Sequence, residues 1–121
     1  MKLKIISVKN QGVASKEYVM LKALEDCNLS SYMILDNTYV ASGELSNKSR
    51  HVYIFPECSV KEGQFVCLNT GKGKYKLGKT DKGNPLHYFY WGLEHSVWND
   101  DGDVAHLIRI GGHQKLRISP Q

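Results

Sequence analysis

The segment EYVMLKAL, Glu17 to Leu24, alternates: Val19, Leu21 and Ala23 fall on one side, Tyr18, Met20 and Lys22 on the other. A period of two marks a strand that buries one face. Runs of this kind recur along the chain, separated by clusters of Asn, Asp, Gly and Ser, while helical periodicity is almost absent. Short strands have to pair and cover a face to persist in water, so the pattern restricts the chain to an all-β fold. Candidate strands cover 2–9, 17–24, 31–35, 50–55, 64–68, 86–90, 104–110 and 114–118.

Details of these runs suggest how they connect. In RHVYIFP both parities are apolar, Val52 and Ile54 against Tyr53 and Phe55, which predicts a central strand. The first run changes parity between Leu3/Ile5 and Ile6/Val8, as a β-bulge requires. VKEGQ, Val60 to Gln64, reads as a turn, and Gly111-Gly112 reads as a hairpin between the last two strands. Turns every dozen residues predict an antiparallel β-sandwich of about 7–9 strands, with residues 1–121 as a single domain.

Composition narrows the context. The amino-terminal MKLKIISVKNQG has too few consecutive apolar residues for a signal peptide, and no later stretch has membrane-spanning length. A cytoplasmic location is the default expectation, and export with a removed signal is the alternative. Cys27, Cys58 and Cys67 lack CxxC spacing and are expected as reduced thiols. A Cys58–Cys67 bridge is the alternative for an exported protein. Zinc would need a tighter set than His51, Cys58, Cys67 and His87 provide in sequence.

The order EYVML, CNLSSYMILD, HVYIFPECSVKEGQFVCLNTGKG and YFYWGLEHSVWNDDGDVAHLIRIGG resembles the lamin tail domain over about residues 5–112. The most specific parts are the FP…EG turn, the TGKG step and VWNDDGD running into a strand. Tyr32 stands where bacterial examples often carry Trp. The resemblance implies an immunoglobulin-like β-sandwich serving as an interaction module, without catalytic activity or cofactor, and with a protein partner.

Three constellations remain to be weighed. SVWNDDGD holds Asp100, Asp101 and Asp103, a weak calcium candidate. A calcium loop wants alternating acids and a closing Glu, whereas here Val104-Ala105 starts a strand. The stronger reading is a turn at 99–102, with Asp103 at the start of the following strand and Trp98 anchoring the core. His51, His87, His95, His106 and His113 are scattered and expected at the surface, with no catalytic grouping.

The charge sits elsewhere. GKGKYKLGKTDKG, Gly71 to Gly83, has five lysines and one aspartate, which accounts for the whole formal charge of +4. Lys72, Lys74, Lys76, Lys79 and Lys82 are placed to meet phosphates, with Tyr75 and Tyr88 to stack on an unpaired base. The competing view is a solvated hairpin whose lysines prevent edge pairing. The expected function is a binding module for nucleic acid or an acidic protein surface. The alternative is a protein–protein adaptor using a sheet edge, and a small hydrolase or nuclease is disfavoured by the missing acid/base set.

Overall fold

A computed structural model describes residues 1–38, 51–98 and 103–120. They form ten strands: β1 (Leu3–Lys9), β2 (Tyr18–Ala23), β3 (Cys27–Asn28), β4 (Tyr32–Thr38), β5 (Val52–Ile54), β6 (Ser59–Val60), β7 (Phe65–Asn69), β8 (Lys76–Lys79), β9 (Pro85–Tyr90) and β10 (Asp103–Arg109). A single 3₁₀ turn, Leu29–Ser31, is the only helical element among the described residues. Its start is capped by Asn28, whose side chain accepts from the Ser30 N–H and from the Cys58 N–H.

The strands make a five-stranded sheet in the order β1-β2-β7-β9-β8, a three-stranded sheet β10-β4-β5 and a small pair β3-β6. Both larger sheets send alternate residues into one hydrophobic cluster. Val19, Leu21, Val66, Leu68 and Phe89 come from the first, Tyr32 and Ile34 from the second, and Phe55, Val97 and Trp98 fill between them. Each such side chain stabilises the fold by roughly 1.5–3 kcal/mol on burial. Tyr32 also ties the layers together, its hydroxyl accepting from the Lys2 N–H at the start of β1.

Several expectations hold at the level of elements. The parity change in β1 is a register shift between Ile5 and Ser7, and β10 opens at Asp103. Three differ. β7 and β9 are parallel, so the large sheet is mixed rather than purely antiparallel. The reason is spatial: after β7 the chain passes the end of β9 to make β8 at the sheet edge, then turns back inward as β9. Among the described residues β5 lies at the end of its sheet's order rather than at the centre, with Val52 48% and Ile54 51% exposed. Its neighbours in register on that outer side, Met33 and Leu35, are apolar too, so this face is apolar although Val52 and Ile54 are not covered. Residues 111–120 form no strand, so the Gly111-Gly112 hairpin is absent and Leu116 and Ile118 stand exposed. Cys27, Cys58 and Cys67 are free thiols, in line with the reduced state expected for them.

One buried carboxylate joins distant segments. Glu17 is fully buried, and its Oε2 accepts from the Thr70 hydroxyl at 2.6 Å, the Val97 N–H at 2.8 Å and the Trp98 N–H at 3.3 Å. Its Oε1 accepts from the Gly12 N–H at 3.1 Å. Removing the acceptor leaves several buried donors unpaired at once, a far larger cost than losing one exposed ion pair. Glu17→Ala is expected to lower unfolding free energy by about 3–5 kcal/mol. Glu17→Gln, which turns an amide N–H₂ toward donors, should recover only part of that. Urea denaturation of the two variants against wild type checks the order.

Candidate functional surface

The outer face of the five-stranded sheet is built by alternation. Residues opposite in parity to the core form three cross-strand rows. Lys9, Tyr18, Asn69 and Tyr90 make the first; Ser7, Met20, Cys67, Tyr88 and Lys76 the second; Lys4, Lys22, Phe65, Leu86 and Gly78 the third. Four aromatic rings and four lysines share this face, and no position in the three rows is acidic.

Local chemistry sets the rings in place. A Cβ on Gly78 would lie 2.9 Å from the Tyr88 ring, and one on Gly73 would lie 2.6 Å from the Tyr90 ring. Both tyrosines therefore lie across backbone that only glycine leaves clear. The Lys76 Nζ stands 4.9 Å from the centroid of Tyr88, and Lys22 Nζ stands 5.6 Å from that of Phe65. The cations thus sit at the π faces they would share with a ligand. Two concavities border the surface. One of about 400 Å³ is lined by Asn69, Lys72, Tyr90 and Glu94, among others. The other, of about 330 Å³, lies between Met20, Phe65 and the β8–β9 turn with Lys82.

The lysines expected to act as one loop are divided among different places. Lys72 Nζ pairs with Glu94 Oε1 at 2.8 Å, both ends well exposed. Such a pair contributes about 0–1 kcal/mol, so a phosphate can displace Glu94. Lys76 belongs to the outer face, and Lys82 lines the second concavity. Lys74 is exposed in the loop before β8. Lys79, three residues beyond Lys76 on β8, falls on the opposite face by alternation. Asp103 begins β10 opposite Thr38, while the other two acids of the calcium candidate, Asp100 and Asp101, lie outside the described residues.

Tyr75 lies on the other side of the sheet from Tyr88 and is 49% exposed. Its ring packs on Phe89 at 5.1 Å, and its hydroxyl lies 2.8 Å from His87 Nδ1, on the inner side of the sheet. Tyr88 lies on the outer face, in register with Cys67 and Lys76. His87 is only 7% exposed, which overturns the surface reading for that residue, and burial lowers its pKa so that the imidazole stays neutral. Its Nε2 lies 3.0 Å from Gln64 Oε1 and its Nδ1 3.8 Å from Cys58 Sγ. Burial pushes the Cys58 thiol up as well. Two other histidines are also engaged: His51 Nδ1 lies 3.1 Å from the buried Asp36, and His106 Nε2 lies 2.6 Å from Asn37 Oδ1.

Sequence reasoning missed Lys4, Lys9, Lys22, Tyr18, Phe65 and Tyr90. Their signal was present as the outward parity of each strand. The neighbourhood of β2, β7 and β9, which gathers them, was not. Compared with protein-family models and with curated proteins, the chain matches neither a family model nor a curated protein.

Cys67 sits in the middle of the outer face yet is 3% exposed, and burial raises its thiol from 9.0 to about 11. Between those values the unfolded chain has lost the proton and the folded chain keeps it, so stability falls as pH rises. The urea midpoint is expected to drop between about pH 9 and about pH 11, and less steeply in Cys67→Ala.

Proposed function

We propose that the chain is a non-catalytic binding module with a lamin-tail-like, immunoglobulin-like β-sandwich architecture, and that it binds single-stranded nucleic acid across the outer face of its five-stranded sheet. The observation that carries this reading is the single register that brings Tyr18, Phe65, Tyr88 and Tyr90 together with Lys4, Lys9, Lys22 and Lys76 and with no acid. Unstacked bases find π faces there, and the backbone phosphates find the surrounding cations. Tyr88 and Tyr90 are two residues apart on one strand, roughly 7 Å, which suits successive splayed bases. Stacking on such rings contributes about 1–3 kcal/mol per base and tolerates any base, so affinity without strong sequence preference is expected. Lys72 and Lys82 at the two concavities extend the track at either end.

Fluorescence anisotropy with a labelled single-stranded DNA oligomer tests this. Four lysines on phosphates give a log–log salt slope of about −3. Tyr88→Ala should weaken binding about fivefold to a hundredfold. Lys76→Gln should flatten the slope by about 0.7, and Lys79→Gln, on the opposite face, should leave it unchanged. Absence of binding at low salt sinks the proposal. The adaptor reading would then lead, because β5 ends the three-stranded sheet among the described residues and leaves Val52 and Ile54 exposed on its face.

A further inference from the structure

The outer face of the three-stranded sheet is the chemical opposite of the lysine-bearing one. Ile108, Met33 and Ile54 align across it in one row and His106, Leu35 and Val52 in the next, with no charged residue in either apart from what His106 can carry. His106 turns its Nε2 to Asn37 Oδ1 at 2.6 Å. Val52 and Ile54 are about half exposed, so this apolar surface meets solvent. The chain also carries a segment of matching chemistry. Residues 111–120 are exposed throughout, with Leu116 at 90% and Ile118 at 88%. In an extended segment these two share a side, with Lys115 and Arg117 opposite. The segment does not return along its own sheet. The Ile110 N–H donates to the Ser31 carbonyl at 2.7 Å, and Gly111 to His113 then run beside Ser30 and Ser31. That course leaves Leu116 and Ile118 in solvent.

We propose that two copies of the chain associate by exchanging these segments, Leu116 and Ile118 of each seating on the face that Met33, Leu35, Val52 and Ile54 form on the other. Each copy holds both halves of the contact, so a two-fold pair closes with neither half left over. Size favours exchange over flat stacking. Six positions of a pleated sheet cover only about 200 Å². A stable interface takes about 800 Å² from each partner. An exchanged segment adds its own surface to that of the face beneath it, on both copies. Lys115 and Arg117, on the opposite parity, keep their charges in water while the apolar pair is covered. The lysine-bearing face lies on the far side of the hydrophobic cluster, so the pairing leaves it free.

Sedimentation equilibrium of the full chain decides the matter. From about 1 µM to about 300 µM the mass should rise from that of one chain toward that of two. Ile54→Lys should raise the dissociation constant about tenfold or more, because a charge would be buried under the partner's segment. The double variant Leu116→Asp/Ile118→Asp should do the same from the other half of the contact. All three positions are exposed, so the fold is expected to persist, and circular dichroism verifies it. An equal mixture of the two variants should associate more tightly than either alone, since one intact segment then meets one intact face. Lys76→Gln, on the other sheet's outer face, should leave the equilibrium unchanged. A wild type that stays monomeric overturns the exchange. So does association that survives either variant, or a mixture no tighter than its components.

Discussion

The carboxylate of Glu17 is the contact on which the arrangement of the chain depends. Strand pairing alone aligns β2 with β7, but it does not say where the long segment after β9 should go. Glu17 does: it sits immediately before β2, receives the Thr70 hydroxyl just past β7, and holds the backbone of Val97 and Trp98. The indole of Trp98 is thereby delivered into the space between the sheets, where Phe55 and Phe89 already meet edge to face at 5.4 Å. A hydrophobic residue at position 17 would pack as well but would leave those amides without an acceptor. The polar group therefore selects one closure of the chain among several that hydrophobic burial would permit.

Much of this architecture was legible in the sequence, and the exceptions are instructive. Alternation in EYVMLKAL and LHYFY announced strands because each has one wet and one dry side. β8 escaped notice since Lys76–Lys79 offers no β-branched or aromatic residue; it is held by pairing to β9 rather than by propensity. The parallel β7–β9 pair left no trace in periodicity, because direction is a property of the connection and not of the strand. Conversely, 114–118 alternates convincingly and pairs with nothing among the described residues, which shows that a pattern supplies a candidate and an edge supplies the strand.

The same limit governs the candidate surface. The local density of lysine in GKGKYKLGKT pointed to one loop, yet the sheet sends Lys76 to one side and Lys79 to the other, and it recruits Lys4, Lys9 and Lys22 from strands far away in sequence. Cys58 and His87, 29 residues apart, meet for similar reasons. A charge run is visible in one dimension; a patch exists only after the strands have found their neighbours.

β9 serves both faces at once. Leu86, Tyr88 and Tyr90 look outward while His87 and Phe89 look inward. A slip of one residue would exchange the two sets, driving tyrosines into the hydrophobic layer and exposing the imidazole to solvent. The surface turn at 80–84 that leads into β9 is thus a reading frame. Length variation there, ordinarily the most tolerated change in a β protein, would be read through the whole strand, and drift among homologous chains should spare the spacing of this turn even where its residues vary.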